Sequence, residues 1–489
     1  MTHHRTVIVG AGFSGIGMAV RLLRDAERDF VLLERADDLG GTWRDNTYPG
    51  CRCDVPSHLY SFSFAPNPNW SSTFSSQQEI LDYLRDVARR FGVIERVRFN
   101  CELEGAEWDE ERSCWRLRTS QGPMTADVLV CGQGPLSEPM LPEIPGIERF
   151  EGSMFHSAQW NHDHDLRGER VAVVGTGASA IQFVPKIQPE VAQLHIYQRT
   201  PPWVVPHPNR PMRPFECALY RRLPLAQVAM RGAIYWARES LVLQFRNRRM
   251  RKMATKLAMR QLRQQVPDPE LRERLTPRYE IGCKRILPTD EWYPTLLQGN
   301  VEVVTDGIRA VRGRSIVSVD GTEREIDTII LATGFHVTDI AIARLVRGRE
   351  GLTLADVWDG SPRAYKGAAV AGFPNLFFLV GPNTGLGHSS IVFMIESQVA
   401  YVAAALRTMR RRGARIVEVR EEAQASYNRE LDAFTRGTVW VTGGCASYYI
   451  DRNGHNSTLW PYFTLPFRRG TREFDEAAYA LGASAAVPA

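Results

Sequence analysis

The stretch Val7-Ile8-Val9-Gly10-Ala11-Gly12-Phe13-Ser14-Gly15 lies near the amino terminus and decides the fold. Its β-branched residues predict a buried strand, its G-x-G-x-x-G spacing a tight turn, and the apolar periodicity of residues 16–24 a helix. The glycines let the backbone approach a pyrophosphate, which the positive end of the helix stabilises. A second strand, residues 30–33, ends at Glu34, where an acidic residue typically meets an adenosine ribose. A glycine-rich turn without a ligand is the less favoured alternative.

The same arrangement occurs a second time. Strand 171–174 leads into Gly175-Thr176-Gly177-Ala178-Ser179-Ala180, with alanine at the third glycine position, and strand 194–198 follows. Arg199 stands 24 positions after Gly175, and Glu34 stands 24 positions after Gly10. A carboxylate suits a free ribose diol, whereas a guanidinium beside the Thr200 hydroxyl suits a 2′-phosphate. The sequence therefore predicts an α/β protein with two Rossmann-like domains, the first for FAD and the second for NADP(H).

The composition of the 489 residues narrows the class of protein. The 44% hydrophobic and 24% charged residues are typical of an ordinary globular protein. The length predicts two or three domains. A net charge of +5 does not require nucleic acid, and no nucleic-acid-binding motif occurs. The eight cysteines form no C-x-x-C pair and no zinc-ligand spacing, so we expect neither a redox disulfide nor a metal site. Cys51 and Cys53 are expected to be reduced packing thiols.

The sequence contains no recognisable targeting signal, and we therefore expect a cytoplasmic protein. The first strand begins almost at Met1, which leaves no room for a signal peptide. No apolar run reaches the roughly 20 residues of a membrane span, and residues 391–406 predict a buried helix. The oligomeric state stays open.

Two apolar strands predict how the domains are connected. Residues 127–132 and 327–334 both end at glycine and are expected to carry the chain out of the first domain and back. The expected division is 1–144 for the first part of the FAD domain, 145–326 for the NADP domain, and 327–489 for the remainder with a cofactor- and substrate-covering segment. A helical insertion at about 210–280 is rich in arginine; we favour a solvated face over a membrane surface or an acidic partner. The small residues after Gly482 predict a disordered tail.

Several ordered motifs resemble the type I Baeyer-Villiger monooxygenases, relatives of the flavin-containing monooxygenases. They are Gly40-Gly41-Thr42-Trp43, then Tyr48-Pro49-Gly50-Cys51-Arg52-Cys53-Asp54, and the F-x-G-x-x-x-H-x-x-x-W pattern of residues 150–160. Asn161 stands where that pattern usually has Pro or Asp. The resemblance covers nearly the whole chain and implies an enzyme that uses FAD, NADPH and O2. Its reaction would convert a ketone to an ester or lactone through a flavin peroxyanion and a Criegee intermediate.

The resemblance also implies roles for single residues. Arg285 would stabilise the peroxyanion and the tetrahedral adduct, because a guanidinium keeps its proton, and Asp54 would orient it. Lys284 would join Arg199 and Thr200 on the 2′-phosphate. His156 would couple the domains rather than transfer protons. Tyr448 stands where many members of the family have tryptophan. The complete predicted cofactor-binding set is Gly10, Gly12, Ser14, Gly15, Glu34, Thr42, Trp43, Arg52, Cys53, Asp54, Tyr60, Leu103, Gly175, Thr176, Gly177, Ala178, Ser179, Ala180, Gln182, Arg199, Thr200, Lys284, Arg285, Ile391 and Tyr448.

Two other functions compete with this interpretation. A flavin-containing monooxygenase would oxygenate a soft nitrogen or sulfur; Trp160 and the Asp54 and Arg285 pair argue against it. A non-catalytic nucleotide-binding protein would find support only in the basic helical segment, and it would need no intact catalytic pair. Residue types do not identify the ketone or the selectivity of the reaction, because one methylene in a pocket changes binding by only about 1–3 kcal/mol.

Overall fold

The structure is a computed structural model that describes residues 1–482, so the predicted tail lies outside the described residues. Within that range, the strands are β1 Thr2–Val9, β2 Phe30–Leu33, β3 Val97–Arg98, β4 Leu103–Asp109, β5 Cys114–Thr119, β6 Gly122–Cys131, β7 Ser153–His156, β8 Arg170–Val174, β9 Gln193–Tyr197, β10 Val204–Val205, β11 Leu287–Pro288, β12 Val301–Val304, β13 Ile308–Arg312, β14 Ser315–Ser318, β15 Glu323–Glu325, β16 Thr328–Leu331, β17 Val346–Arg347, β18 Leu376–Phe378, β19 Ile416–Val419 and β20 Tyr479–Gly482. The helices are α1 Phe13–Arg24, α2 Thr42–Asp45, α3 Gln77–Arg90, α4 Ala180–Ile187, α5 Pro214–Arg222, α6 Pro224–Glu239, α7 Arg248–Gln265, α8 Pro269–Arg274, α9 Trp292–Leu296, α10 Ile342–Leu345, α11 Leu354–Trp358, α12 Ile391–Arg412, α13 Glu421–Thr435, α14 Val439–Thr442 and α15 Thr464–Gly470.

The first sheet is built around β1. Its strand order is β17-β4-β5-β6-β1-β2-β3, and β18 also pairs with β6. Both neighbours of β1 run parallel to it, whereas β4, β5 and β6 form an antiparallel meander. Because successive side chains of a strand face opposite sides, Ile8 packs in the core that contains α1 and α12, while Val7 and Val9 pack in a second core. Both faces of the sheet are therefore covered.

The second sheet is entirely parallel, with the order β12-β9-β8-β16-β7. The two-domain α/β fold is confirmed. However, β16 is a strand of this sheet, and the chain rejoins the first sheet only at β17 and β18. The predicted boundary between residues 326 and 327 is therefore too early and moves past Leu331. An apolar, glycine-terminated strand carries no signal for the sheet that it joins.

The two sheets use the same transition from strand to helix. Gly10 and Gly175 follow β1 and β8 with φ of 95° and 109°, values that favour glycine. A Cβ on Gly10 would lie 3.2 Å from the carbonyl oxygen of Gly132, at the end of β6. A Cβ on Gly175 would collide with the carbonyl of Ala332, at the end of β16. Thus β6 and β16 occupy equivalent places beside the two nucleotide-binding strands.

The helical insertion and helix α12 complete the fold. Helices α5 to α8 leave the second domain after β10 and return at β11, which pairs with β10. Helix α12 is long and apolar enough to cross a membrane by length and composition, but 78% of its apolar window is buried inside the protein. It therefore serves as a core helix, as residues 391–406 predicted.

We expect a Gly15→Ala substitution to destabilise the first domain. A Cβ at this position would collide with the carbonyl oxygen of Gly10 and lie 2.9 Å from the Leu32 side chain. Overpacking of this kind costs about 1–3 kcal/mol, which a lower urea midpoint of unfolding would report. Gly232→Ala is the matched control, because its Cβ meets nothing within 4 Å in the middle of α6. It should leave stability unchanged or raise it by up to about 1 kcal/mol; equal losses for both variants would contradict the packing at Gly15.

Candidate active site

An ion pair brings together two predicted catalytic residues. The Nε and Nη2 atoms of Arg285 donate to the two carboxylate oxygens of Asp54 at 2.6 and 2.7 Å. This bidentate geometry is the strongest arrangement for a guanidinium and a carboxylate. Asp54 follows the buried Cys53, and Arg285 lies just before β11, at the end of the helical insertion. The fold thus places the two residues together as the sequence predicted.

A second arginine, which the sequence did not single out, contacts the backbone of the same aspartate. The Nη2 atom of Arg238 donates to the backbone carbonyl of Asp54 at 3.4 Å. Burial alone would raise the pKa of Asp54, but the charge and hydrogen bonds of Arg285 and the charge of Arg238 outweigh it, so this pKa lies below its usual value. The charge of Asp54 raises the pKa of Arg285 well above its usual range. Burial lowers the pKa of Arg238, but a guanidinium keeps its proton at neutral pH. All three groups are therefore charged, and the cluster carries one excess positive charge.

Two tyrosines from the carboxy-terminal segment lie beside this cluster. Tyr449 is buried, with 2% of its surface exposed, whereas Tyr448 is 47% exposed. Burial raises the pKa of Tyr449 well above its usual value, so the phenol stays neutral. The Tyr448 hydroxyl approaches that of Tyr449 at 3.5 Å. The predicted residue Tyr448 is therefore the accessible one, and Tyr449, which was not predicted, is the inner one.

A disulfide connects the arginine loop to the carboxy-terminal segment. Cys283 and Cys445 are bonded, with Cα atoms 6.2 Å apart and a sequence separation of 162. The sequence did not predict this bond, because two cysteines so distant in sequence leave no spacing signal; the expectation of no redox disulfide stays a prediction. Cys51 and Cys53 are free and buried, as expected. No group of three metal-ligating side chains occurs among residues 1–482.

The predicted 2′-phosphate residues line one open cleft of about 680 Å³. Arg199, Thr200 and Lys284 all border it, together with Gly444 and Cys445. Burial and the charge of Arg199 lower the pKa of Lys284. The Thr176 hydroxyl donates to the carbonyl of Thr200 at 3.4 Å and so couples the second glycine loop to this cleft. Two cations that repel each other in one cleft form a site for a multiply charged anion.

The second glycine loop leaves room for a ligand. Gly177 faces open space, since a Cβ there would meet nothing within 4 Å in the described part of the chain. Ser179 immediately precedes α4, and the amide of Ile181 donates to the carbonyl of Gly177. Ala178 and Ala180 complete the turn, and Ala180 is fully buried. The loop is thus shaped for close approach of a phosphate to backbone amides.

The first glycine loop is held by Glu34. One carboxylate oxygen accepts from the amide of Ala11 at 2.9 Å, and the other accepts from Arg44 at 2.8 Å. Glu34 is 4% exposed. The side chain predicted to bind a ribose therefore also fixes the loop that it follows. Gly12 and the buried Ser14 lie on this loop, and a Cβ on Gly12 would make only ordinary contacts at 3.7 Å.

The segment after Glu34 links the two domains. Trp43 donates to the Tyr60 hydroxyl at 3.1 Å, and the two rings pack edge to face. Thr42 begins the short helix α2. The Gln182 amide, on α4 of the second domain, accepts from the Arg52 amide at 3.2 Å and donates to the Arg52 carbonyl at 3.1 Å. Gln182 was predicted to bind a cofactor; the structure shows it holding the two domains together.

Buried polar atoms near the first loop lack protein partners. Within residues 1–482, the Gln133 amide oxygen and the Ser389 hydroxyl have no hydrogen-bond partner. Gln133 lies beside Gly10, and Ser389 lies just before the predicted Ile391 at the start of α12. Leu103, also predicted, packs in the second core at the start of β4. Such buried atoms normally have partners, so a polar ligand between the loop and α12 fits them.

His156 lies at the end of β7, where its ring caps the following turn. The amide of Ala158 donates to its Nδ1 at 3.1 Å, and the ring packs against Phe335. It is 2% exposed, and burial lowers its pKa to about 4. A buried neutral ring at the edge of the second sheet fits the expected structural role.

The low pKa of His156 makes stability depend on pH. An unfolded histidine has a pKa of about 6.5, so unfolding binds a proton between pH 4 and 6.5. The stability that the neutral ring contributes is complete above pH 6.5 and is lost as the pH falls to 4. His156→Gln should reduce the proton uptake on unfolding at pH 5 by up to one, as urea midpoints measured at stepped pH will show. An unchanged slope would contradict the burial of a neutral ring.

Comparison with known proteins identifies the class. A family model described as flavin-binding monooxygenase-like matches residues 3–341. A Baeyer-Villiger monooxygenase of Streptomyces coelicolor is 50% identical over 479 residues, which cover 98% of this chain and 92% of the relative. A closed crystal structure of cyclohexanone monooxygenase matches with a TM-score of 0.89 at 28% identity, covering 98% of this chain and 99% of that one. OTEMO in complex with FAD and NADP matches with a TM-score of 0.90 at 26% identity, covering 98% and 99%.

The two nucleotide loops and these matches define a flavin-binding monooxygenase with a second site for a nicotinamide cofactor. Within that class the chain belongs to the Baeyer-Villiger monooxygenases, the FAD- and NADPH-dependent enzymes that use O2 to convert a ketone to an ester or lactone. The expected family, fold, cofactors and reaction are confirmed.

Proposed function

We propose that Asp54, Arg285 and Arg238 form the centre at which this enzyme oxidises its ketone. We also propose that the enzyme is located in the cytoplasm. The observation that carries the proposal is the bidentate Asp54–Arg285 pair with a second guanidinium beside it. Six free cysteines within residues 1–482, five of them buried, support this location, whereas the Cys283–Cys445 disulfide is of a kind that is rare in the cytosol.

The residues present fit both cofactors. FAD would lie along the Gly10–Gly15 loop, with Glu34 at the ribose and the unpartnered Gln133 and Ser389 beside it. Bound FAD supplies the redox chemistry, because it accepts hydride from NADPH and activates O2. NADP(H) would place its pyrophosphate at the Gly175–Ala180 loop and its 2′-phosphate between Arg199 and Lys284. The buried aromatic pair of Trp43 and Tyr60 would border the flavin end.

Arg285 is the group that stabilises the negative charge formed during the reaction. Attack on a carbonyl carbon moves charge onto oxygen, and a fixed guanidinium in a site with little water stabilises that charge strongly. Arg285 keeps its proton because Asp54 raises its pKa well above the usual range. Asp54 is a positioning residue: it holds two of the donor atoms of Arg285 and leaves Nη1 free to point elsewhere.

Removing Arg285 should abolish product formation while sparing cofactor binding at the glycine loops. For Arg285→Ala we expect a loss of about 10²–10³-fold in ester or lactone formation, the size typical of losing one preorganised donor. NADPH oxidation should continue and release hydrogen peroxide instead of product. Product by mass spectrometry, NADPH consumption and peroxide are measured together on a panel of cyclic and aromatic ketones.

Asp54→Asn and Arg285→Lys separate the two roles. The asparagine keeps shape but loses the charge that orients Arg285, so product should fall with a changed pH profile. The lysine keeps charge but not the bidentate geometry and should rescue little. Full product from Arg285→Ala would overturn the assignment. Wild-type enzyme that oxidises sulfides or amines but no ketone of the panel would instead favour heteroatom oxygenation.

The residues of the cleft predict that the enzyme prefers NADPH to NADH. Arg199→Ala and Lys284→Ala should each raise KM for NADPH by about 10–100-fold, since a hydrogen bond to a charged group contributes roughly 1.5–3 kcal/mol. KM for NADH should change little, because NADH has no 2′-phosphate. Arg278→Ala is the matched control: it borders the same cleft, is 86% exposed and already faces Glu273 at 3.6 Å. Parallel losses with both cofactors would place these residues outside the 2′-phosphate site.

A further inference from the structure

Helix α6 reverses the usual amphipathic pattern. Its outer face carries Leu225, Val228 and Trp236, which are 81%, 58% and 59% exposed. These positions are 3, 8 and 11 residues apart, about one, two and three helical turns, and form one stripe along the helix, with Ala229 and Ala233 exposed between them.

The polar side chains of α6 point inward. Arg231 donates to the carbonyl of His58 at 2.6 Å, Arg238 contacts Asp54, and Gln227 donates to the carbonyl of Asn67 at 2.6 Å. Glu239 is fully buried against Thr464. The cations of this helix thus contact the protein interior, while Tyr235 packs in the core and the apolar side chains of the outer face are exposed to solvent.

The neighbouring helices extend this apolar surface. Helix α5 packs against α6, and residues 240–245 join α6 to α7. Ten of the 22 large apolar side chains that are exposed in residues 1–482 lie between residues 215 and 257, under a tenth of the chain. We call this stretch the insertion surface; its exposed apolar side chains are Phe215, Leu219, Leu223, Leu225, Val228, Met230, Trp236, Leu243, Met253 and Leu257.

The insertion surface is also strongly cationic. Residues 213–263 contain thirteen Arg and Lys but only two Glu, although the whole chain has a net charge of +5; the rest of the chain is therefore net acidic. Of the two carboxylates, Glu239 is buried and Glu216 pairs with Arg210. Ten exposed cations have no carboxylate within 4 Å in the part of the chain that the structure describes: Arg213, Arg221, Arg222, Arg246, Arg248, Arg249, Lys252, Lys256, Arg260 and Arg263.

We propose that the insertion surface docks on an anionic phospholipid bilayer. Interleaved cations and large apolar side chains on the outer faces of consecutive helices are the signature of a helix lying in a membrane interface. Lipid phosphates would pair with the free arginines, and the acyl boundary would receive Leu225 and Trp236. A second copy of this chain would bring two cationic surfaces together, and nucleic acid would leave the apolar stripe of α6 unused.

Docking would place the bilayer one helix away from the active site. The inner face of α6 carries Arg238, which contacts Asp54, and a helix with its side chains is about 10–12 Å across. An apolar ketone could then reach the enzyme from lipid rather than from water. This consequence rests on the proposed function; the docking itself does not.

The test is flotation of purified holoenzyme with vesicles of phosphatidylcholine alone or with 30% phosphatidylglycerol. We expect at least a tenfold preference for the anionic vesicles, weakened by salt as surface charges are screened. Arg249→Gln/Lys252→Gln/Lys256→Gln should lower binding on the order of 100-fold, since each cation near an anionic surface contributes roughly fivefold. Leu225→Glu/Trp236→Glu should lower it at least tenfold.

Matched controls lie outside the insertion surface. Val319→Glu alters a 65% exposed apolar side chain, and Arg149→Gln alters an 85% exposed cation; both should change vesicle binding less than twofold. Turnover of a water-soluble ketone should stay within twofold for every variant, which shows that each variant folds. Vesicle binding needs no turnover, so its outcome is independent of the proposed reaction.

Three results would overturn the proposal. If the wild-type enzyme does not bind anionic vesicles at low salt, the insertion surface is not a membrane-docking surface. Equal losses for insertion and control variants would show unspecific attraction. Sedimentation velocity in which Leu225→Glu converts a dimer to a monomer, without any vesicle binding, would assign the stripe to a contact between copies of the chain.

Discussion

The active site depends on the ion pair of Asp54 and Arg285, with the guanidinium of Arg238 on the backbone carbonyl of Asp54. Asp54 and Arg285 are 231 residues apart, and Arg238 comes from a third segment, so the site exists only when three parts of the chain are assembled. Buried charges are normally paired, but the two guanidinium groups of this cluster exceed its single carboxylate by one positive charge. A centre of this kind is prepared to stabilise an anion that forms during a reaction. The charge and hydrogen bonds of Arg285, together with the charge of Arg238, keep the pKa of Asp54 low despite its burial.

The two nucleotide sites share a strand, a glycine and a helix, but they differ where specificity is set. In the first, Glu34 is buried and both its oxygens are held by protein groups. In the second, Arg199 is exposed at the rim of an open cleft. Helix α1 also approaches its loop so closely that only Gly15 fits, whereas α4 accommodates Ala180. These differences suit a cofactor that stays bound in the first site and one that exchanges in the second.

The sequence predicted whatever is encoded by local spacing. Both glycine loops, the strand ends at Glu34 and Arg199, and the Asp54–Arg285 pair were found, because motifs fix them within a few residues or through the family resemblance. Arg238 could not be found, because it is one of thirteen similar cations in an irregular segment. The Cys283–Cys445 bond and the membership of β16 in the second sheet depend on contacts between distant segments, for which one sequence carries no signal.

Helix α6 shows why burial and composition must be considered together. The contacts of its inner face are made by Gln227, Arg231, Arg238 and Glu239. Polar residues on the outer face would therefore cost little folding stability. The outer face is instead occupied by Leu225, Val228 and Trp236. Helix α12 is equally apolar, but its side chains are enclosed by the protein and need no further partner. No part of the described chain covers the α6 stripe, and the free cations beside it select a partner that offers both negative charge and an apolar interior.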